Sequence, residues 1–426
     1  MVLNWAVSGI DLSDAGFWGL PFEERDAAFR VLRRERPVAF FPEPVLPLLP
    51  PGPGSWALTR FEDVARASRE PGIFSSARGS VLPDLPPGPP FSYLRSMIDM
   101  DDPGHAEMRR LVAAAFTPRA VRQLTGRVEA ACQEIIDEVT ERGECDFAAD
   151  VALPLVSRLI CDLLGVPRAD QGWVTQRVLI AYGRDDPEYV PGVLDDPGRG
   201  ALAVLDAAQQ LAAYAQELSR SQRARPGDDL VSRLATADLD GRRLSEEELA
   251  QWFILLVIAG TETTRQAISH GVLMLDRHPD QKAAWQQDFT RLAPTAAEEI
   301  VRWSSPVIAF RRTLTRDVAL SGQQLAAGEK VMLFYPSANR DEQAFVGPYR
   351  FDLARAPNPH LGYGGPGPHY CLGAHLARAE ICAMFQALFA RMPDLQVTGE
   401  PEWLRSWSIN GIKHLPVRFT PSRRGG

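Results

Sequence analysis

The chain has 426 residues, 45% of them hydrophobic and 23% charged, so it is globular and long enough to bury a large core. Its 46 basic and 54 acidic residues give a net charge of -8 and are mixed along the sequence, which argues against a nucleic-acid-binding surface. The longest apolar run, residues 252–260, is far shorter than the roughly 20 residues that a membrane span needs. The first 16 residues lack a basic start followed by an apolar core, so we expect no signal peptide and a soluble, cytoplasmic protein.

Along the chain, two Pro-rich stretches at 40–55 and 82–90 are typical of surface loops, with a strand predicted at 56–59 and a helix at 61–68 between them. From 103 to about 391 the pattern is mostly helical. Strand patterns occur near 38–41, at 56–59 and at 318–335, which is predicted to form a hairpin. With no repeat and no long linker, the sequence predicts a single domain over residues 1–426, mainly α with a minor β sheet.

The longest predicted helix begins at a capping box, in which Ser245 and Glu248 have the S-x-x-E spacing, and it continues to His278. About 30 residues at 1.5 Å each give roughly 45 Å, enough to cross the molecule. Residues 252–260 are apolar on every face, so we expect this part to be buried. The run GTETTR (260–265) follows at once and places a carboxylate and three hydroxyls in the interior. Such a cluster either is useful or is a satisfied polar group that bends the helix at Gly260.

The five cysteines are odd in number and have no paired spacing, which argues against a disulfide framework. Four of them lie in apolar helical contexts and are expected to be unreactive core residues: Cys132, Cys145, Cys161 and Cys382. Cys371 is different, because glycines, prolines and two histidines precede it and a helical run follows it.

Three interpretations of residues 360–380 follow from the residues alone. GYGGPG (362–367) satisfies G-x-G-x-x-G, but no strand precedes it and no acidic residue follows at the spacing of a dinucleotide site. His369, Cys371 and His375 are candidate zinc ligands, although their spacing is not that of a structural zinc site. A single thiolate at a helix start, beside small residues, also suits the iron of a flat heme.

Four motifs now identify a resemblance that covers essentially the whole chain: AGTETT (259–264), EEIVR (298–302), PYRF (348–351) and GPGPHYCLG (365–373). In this order they resemble the cytochrome P450 family. One departure is Tyr363, an aromatic residue eight positions before the cysteine where the family usually has one seven before it. This variant, with the runs at 306–317, 337–342 and 357–365, is similar to a bacterial subgroup that acts on methyl-branched lipids and sterol side chains.

The resemblance implies heme b as cofactor, with Cys371 as the axial thiolate ligand of the iron. It implies that Glu262 and Thr263 are the acid–alcohol pair that delivers protons during oxygen activation; the family more often has aspartate at the first position. It implies that Glu299, Arg302 and Arg350 form a structural triad. Further heme-binding positions implied by the resemblance are His105, Arg109, Arg312, His369 and Gly373.

By analogy with the family, a substrate pocket would be lined by Met97, Val257, Gly260, Val307, Ile308 and Ile409. The implied activity is a monooxygenase that inserts one oxygen atom of O2 into a C–H bond of a hydrophobic substrate, here the terminal hydroxylation of a methyl-branched lipid, isoprenoid or sterol side chain. The alternatives are a hydroxylase of a macrolide or terpene scaffold, a peroxide-driven peroxygenase and a non-enzymatic heme sensor or carrier. Electrons would come from a separate ferredoxin or flavodoxin with its NAD(P)H reductase. This partner would dock on the cysteine side, where Arg378 is a candidate contact, and the protein is expected to be a monomer.

Overall fold

A computed structural model describes residues 6–44, 49–50, 52–238 and 242–423, so residues 45–48 and 51 of the first predicted loop lie outside the described part. Helices dominate, as the sequence predicts. The α-helices are α1 (Ala15–Trp18), α2 (Phe22–Glu35), α3 (Phe61–Arg69), α4 (Gly104–Ala113), α5 (Pro118–Val139), α6 (Leu153–Leu164), α7 (Arg168–Tyr182), α8 (Gly198–Ala224), α9 (Leu230–Thr236), α10 (Glu246–Arg277), α11 (Pro279–Gln287), α12 (Phe289–Ser304), α13 (Tyr335–Ala338) and α14 (Ala374–Arg391).

The strands are short and carry a minor share of the chain, which confirms the predicted fold class. They are β1 (Val38–Phe41), β2 (Ser55–Leu58), β3 (Phe74–Ser75), β4 (Glu144–Asp146), β5 (Ala309–Leu314), β6 (Val318–Leu320), β7 (Gln323–Leu325), β8 (Lys330–Phe334), β9 (Gln396–Val397), β10 (Glu402–Trp403), β11 (Ile412–His414) and β12 (Pro416–Arg418).

Helix α10 is the predicted long helix. The Glu248 N–H donates to Ser245 Oγ over 3.1 Å, and the Ser245 N–H donates to Glu248 Oε2 over 2.8 Å, so both halves of the capping box form. Its 32 residues run unbroken past Gly260. A Cβ at Gly260 would lie 2.7 Å from the side chain of Ile160, so this glycine lets α6 approach the helix closely.

The largest sheet has the strand order β1-β2-β8-β5-β3, with β2 and β8 parallel and the other neighbours antiparallel. The predicted hairpin at 318–335 is therefore only partly correct. Its first half is the hairpin β6–β7, whereas β8 leaves it and pairs with β2 and β5. Alternation of apolar residues predicts strands, but it does not select their partners.

The apolar core is built around α10. The second half of this helix packs with α5, α12 and α14 in one buried cluster. Its first half packs with α6, α8 and α9 in another, which also contains Met97 of the segment before α4. The polar run GTETTR lies where the two clusters meet, so it is in the centre of the molecule.

Candidate active site

The conformation of the loop before α14 explains why several glycines precede Cys371. Gly364, Gly365 and Gly367 have φ angles of 90°, 71° and 142°, a region that other residues rarely adopt. A Cβ at Gly367 would lie only 2.0 Å from the carbonyl oxygen of Ser68 at the end of α3. The loop therefore folds tightly against α3 and brings Cys371 to the start of α14.

Cys371 lies in a polar backbone environment. Its N–H donates to the carbonyl oxygen of Tyr363 over 2.9 Å, which closes the loop. Burial raises the pKa of the Cys371 thiol, while the N–H of Gly373 and the nearby guanidinium groups of Arg109 and Arg378 lower it. These three groups are what a thiolate at a helix start needs.

Cys371 and the middle of α10 both carry accessible residues. Cys371 is accessible, and so is Ala259 in the middle of a helix whose neighbouring turns are buried. Leu372, directly after the cysteine, packs on the apolar cluster that contains Val257. The start of α14 is therefore packed on the same cluster as the first half of α10.

Four basic side chains predicted from distant parts of the sequence come together beside the cysteine loop. His105 and His369 have ring centroids 4.3 Å apart, and Arg109 donates to the carbonyl oxygen of Tyr370 over 2.7 Å. Arg312 is buried on β5. Burial, together with the charges of Arg312 and Arg109, lowers the pKa of His369 to about 3. Burial also lowers the pKa of Arg109 and Arg312. Burial is therefore the main effect that disfavours the charged forms of this cluster, in which Asp102 contacts His105 Nδ1 over 3.2 Å.

These residues fit a heme. Among the described residues, the buried Nε2 of His105 has no hydrogen-bond partner. Within the same part of the chain, the Arg312 side chain donates one hydrogen bond, to the carbonyl oxygen of Arg311. A ligand with carboxylates would satisfy both groups. A Cβ at Gly373 would meet nothing within 4 Å, which leaves open space beside the thiol. One thiol, a cation cluster and open space match a flat cofactor with two carboxylates better than a zinc ion.

Glu262 and Thr263 point in different directions. Oε1 of Glu262 accepts from Arg265 Nη1 over 2.6 Å and Oε2 accepts from Gln266 Nε2 over 2.7 Å, while the side chain is 1% exposed. The Thr263 hydroxyl donates to the carbonyl oxygen of Ala259 over 2.9 Å. The predicted pair is thus adjacent in sequence but is not hydrogen-bonded in this conformation. Arg265 and Gln266 were not predicted as partners of Glu262, although their i+3 and i+4 spacing places them on the same helix face.

The predicted structural triad forms with a different third member. Arg302 donates from Nε and Nη2 to the two oxygens of Glu299, both over 2.7 Å, and both side chains are fully buried. Arg350 is not the third residue, since its side chain is 75% exposed and pairs with Asp352. Arg355 takes this place, with its Nε 3.0 Å from Glu299 Oε2. The PYRF motif marked the correct segment, but the arginine that turns inward lies five residues later.

Arg378, the candidate docking contact, is partly exposed and already has partners within the chain. It pairs with Glu298, and its guanidinium lies 4.4 Å from the centroid of the Tyr363 ring. His360 also contacts Glu298 over 2.9 Å, and these partners lower the pKa of that carboxyl to about 2 against the opposing effect of burial. This arrangement fastens the cysteine loop to α12.

The predicted pocket residues divide between clusters. Met97 and Val257 lie in the same buried cluster. Val307 forms an isolated β-bridge with Ile409. Ile308 was wrongly predicted to line the pocket, because its side chain is buried against α1 and α2 on the other side of the sheet. Neighbouring residues on an extended segment point to opposite faces, so Val307 and Ile308 cannot both face one cavity.

Arg311, which was not predicted as a functional residue, anchors the loop that contains Val81 and Asp84. Its N–H donates to the carbonyl oxygen of Ser80 over 2.7 Å, and its side chain reaches the carbonyl oxygen of Val81 and a carboxylate oxygen of Asp84. Lys330 on β8 also contacts Asp84, over 2.7 Å. The Pro-rich loop at 82–90 is therefore anchored to the central sheet.

Of the other cysteines, Cys132 and Cys161 are buried helical residues as predicted, whereas Cys145 lies on the strand β4 and, like Cys382, is only partly buried. Burial raises the pKa of three of them to about 12 and that of the fourth to about 11, and within the described residues none forms a disulfide: Cys132, Cys145, Cys161 and Cys382. In the part of the chain that the structure describes, no helix is both long and apolar enough to cross a membrane.

Comparison with known proteins agrees with this site. The family model described as Cytochrome P450 matches residues 201–392. The methyl-branched lipid omega-hydroxylase of Mycobacterium tuberculosis (strain ATCC 25618 / H37Rv) is 45% identical over 417 residues, which cover 97% of this chain and 95% of that protein. The steroid C26-monooxygenase of the same strain is 40% identical over 372 residues, 86% of this chain and 83% of that protein.

Among solved structures, Mycobacterium marinum cytochrome P450 CYP268A2 in complex with pseudoionone matches with a TM-score of 0.91 and 40% identity, covering 98% of this chain and all of that one. Fold and sequence therefore agree over almost the entire length, including the loop that carries the cysteine and the long helix that faces it. The chain belongs to the cytochrome P450 family of heme-dependent monooxygenases.

Proposed function

We propose that this monooxygenase hydroxylates the terminal carbon of a methyl-branched lipid, an isoprenoid or a sterol side chain. The observation that carries the proposal is the 45% identity to a methyl-branched lipid omega-hydroxylase, together with the 40% identity to a steroid C26-monooxygenase. Both names describe oxidation at the end of a branched apolar chain. The two relatives thus share a position of attack even though their substrates differ.

The residues around the first half of α10 suit an apolar ligand. Met97 and Val257 are buried in one cluster, against which Met100, Ile258 and Leu372 pack. The loop before α4, the middle of α10 and the cysteine loop thus contribute to one apolar cluster. A substrate bound against it would be held mainly through buried apolar area, at roughly 25 cal/mol per Å² removed from water.

The carbon that is hydroxylated must be selected by the orientation of the bound substrate. A terminal methyl group has stronger C–H bonds than a tertiary carbon, so the site has to hold the chain end-on and keep the weaker bonds out of reach. The anchored loop at 82–90 and the wall at Met97 are the elements of this chain that would restrict the substrate in this way.

In this proposal Cys371 would supply the thiolate that holds the iron of heme b. His105, Arg109, Arg312 and His369 would bind the heme carboxylates, and Gly373 would leave space beside the thiolate. When bound, the heme supplies dioxygen activation and oxidation of the C–H bond. Cys371 is held for this role by the closed loop and by the groups that favour a thiolate.

Glu262 and Thr263 handle protons. Release of one oxygen atom of O2 as water would require two protons and two electrons. The Thr263 hydroxyl, which donates to the carbonyl oxygen of the accessible Ala259, would supply a proton, and Glu262 would be the neighbouring acid that restores it. Glu262 must leave its ion pair with Arg265 to do this.

The redox partner, in this proposal, is a ferredoxin or flavodoxin with its NAD(P)H reductase. It docks on the side that carries Cys371, where Tyr370 is exposed one residue before the thiolate. The chain acts as a monomer formed by one domain. Stopped-flow reduction by each partner at several salt concentrations, with analytical ultracentrifugation, tests these points.

The substrate is tested with purified protein, surrogate ferredoxin and reductase, a methyl-branched fatty acid and a sterol. Mass spectrometry should find the terminal alcohol of at least one substrate. Hydroxylation only within the chain or on a ring, or no change of the heme spectrum with either ligand, contradicts terminal hydroxylation. A macrolide or compact terpene that is turned over instead would favour the alternative scaffold.

A further inference from the structure

The C-terminal strands carry a group of titratable side chains that the proposed function does not use. His414 ends β11, and the antiparallel pairing of β10 with β11 places Glu402 directly opposite it. Glu188, from the segment between α7 and α8, approaches the same imidazole, with its Oε1 3.0 Å from Nε2. One ligand atom from each of these three residues lies within 4.8 Å of the other two. Three separate segments therefore bring one nitrogen and two carboxylates together.

The orientation of the His414 ring is fixed from behind by Asp146. Nδ1 of His414 contacts Oδ2 of Asp146, which ends β4. The other oxygen of Asp146 accepts from the N–H groups of Leu415 over 3.0 Å and Ala148 over 3.1 Å. A carboxylate held in this way accepts from Nδ1–H, so Nε2 is the nitrogen that presents a lone pair to Glu188. A carboxylate behind one nitrogen and a lone pair on the other is the arrangement around metal-bound histidines.

The lone pair of His414 Nε2 and the Glu188 carboxylate are two acceptors that face each other at 3.0 Å. A positive charge between them is needed, and either a second proton on the imidazole or a metal ion supplies it. Lys413 Nζ does not fill this place, because it contacts the other oxygen of Glu188, over 2.8 Å. A proton on Nε2 serves one acceptor oxygen, whereas a divalent ion engages all three ligand atoms, including that of Glu402.

The group is reached from solvent. The side chains of His414 and Glu188 are 35% and 38% exposed. A surface cavity of about 470 Å³ opens beside them, and carboxylates dominate the polar side chains that line it: Glu144, Asp146, Glu400 and Glu402, with His414. The nearby cation Lys413 is already shared between Glu188 and Asp186. A hydrated cation can therefore enter, and the local charge favours it.

We propose that Nε2 of His414, Glu188 and Glu402 form a binding site for a zinc ion, with water as the fourth ligand and Asp146 as the residue that orients the imidazole. An imidazole ligand favours zinc over calcium or magnesium, which prefer oxygen ligands. Tetrahedral ligands about 2.0–2.1 Å from zinc lie roughly 3.3 Å apart, close to the separation of Nε2 and Glu188 Oε1. Glu402 is exposed, so its side chain is free to turn to the third position.

Isothermal titration calorimetry of the heme-loaded, chelator-treated protein with zinc chloride tests the site. The unaltered protein should bind zinc at this site, and His414→Gln should bind it at least about tenfold more weakly, since loss of even an orienting residue typically costs 10–100-fold. Glu402→Gln changes an exposed side chain and should weaken binding as well, which excludes a folding defect as the cause. No binding by the unaltered protein, or equal affinity in both variants, overturns the proposal.

Glu400→Gln is the matched control. Its carboxylate lines the same cavity, but it is 94% exposed and is not one of the three ligands, so zinc affinity should be unchanged. Calcium chloride should bind the unaltered protein more weakly than zinc and should not distinguish it from His414→Gln. If Glu400→Gln weakens zinc binding as much as Glu402→Gln, or calcium binds as tightly as zinc, the cavity attracts cations only by its charge and the proposed ligand set is wrong.

X-ray absorption at the zinc edge identifies the ligands independently of the heme iron. The zinc-loaded protein should show nitrogen and oxygen neighbours at about 2.0–2.1 Å with the scattering of one imidazole. A sulfur neighbour at about 2.3 Å would place the ion on a thiol such as Cys145, which lines the same cavity, and would overturn the assignment. No residue of the site has a role in the proposed hydroxylation, so product formation and zinc binding can succeed or fail separately.

Discussion

The Nε atom of Arg355 lies 3.0 Å from Oε2 of Glu299, and both side chains are almost fully buried. The same Glu299 also binds Arg302, so two guanidinium groups converge on one carboxylate in the segment that leads to the cysteine loop. Removal of one partner from a buried ion pair strands the other charge and typically costs about 3–5 kcal/mol. Arg355→Ala should therefore lower the free energy of unfolding by about this amount and reduce heme content.

Arg350→Ala is the matched control for this prediction. Its side chain is 75% exposed and pairs with Asp352, and such surface pairs contribute about 0–1 kcal/mol. Urea unfolding and the ratio of Soret to protein absorbance should remain near normal. If Arg350→Ala proves the more damaging change, the assignment of Arg355 is wrong.

Replacement of the proposed axial ligand should change the spectrum of the heme. Reduced protein with carbon monoxide should show the strongly red-shifted Soret band of thiolate ligation, and Cys371→His should lose it because imidazole donates less charge to the iron. Cys382→Ala should keep the band, since that thiol is partly buried on α14 and contacts the carbonyl oxygen of Ala293. A thiolate-type band in Cys371→His would rule out Cys371 as the ligand.

The hydroxyl of Thr263 is expected to control where electrons go. Thr263→Ala should bind heme and substrate nearly normally but form more hydrogen peroxide and less product per NAD(P)H, because proton delivery loses its last donor. Thr261→Val is a suitable control, as its hydroxyl donates to the carbonyl oxygen of Val257 inside the same helix. Full coupling of Thr263→Ala would mean that this threonine is only structural.

Because Glu380 is buried, its ionisation should lower the free energy of unfolding as pH rises. Burial raises the pKa of this carboxyl on α14 from the ordinary value of 4.5 to about 8, against a smaller opposing hydrogen bond from Thr264. Between these two pH values the folded protein holds a proton that the unfolded chain releases, so stability falls by up to about 1.4 kcal/mol per pH unit. The contribution is fully present below pH 4.5 and lost above about pH 8.

The measurement compares urea unfolding of the unaltered protein and Glu380→Gln from pH 5.5 to 8.5. The amide cannot ionise, so the variant should lose this part of the pH dependence and become relatively more stable at high pH. Parallel curves for the two proteins would show that Glu380 is ionised in the folded state or titrates near its ordinary value.

The sequence by itself determined the class of fold and the chemistry of the cysteine loop. Ser245 and Glu248 begin a helix because their side chains satisfy its first N–H groups, and residues 252–260 must be buried because they are apolar all round. The glycines before Cys371 predict a ligand that approaches the backbone, which stays a prediction; in the structure Gly367 packs against Ser68 of α3. These features are local, so a short stretch of sequence contains all the information that they need.

Only the tertiary structure decided which charges meet. Arg355 rather than Arg350 turns toward Glu299, and Arg378 pairs with Glu298. Ile308 is buried in a different apolar cluster from Met97 and Val257. Neighbouring arginines have the same chemistry, and the choice between them depends on the direction of the backbone and on the desolvation cost at each position. Those two quantities are set by segments far away in the chain, so no local pattern contains them.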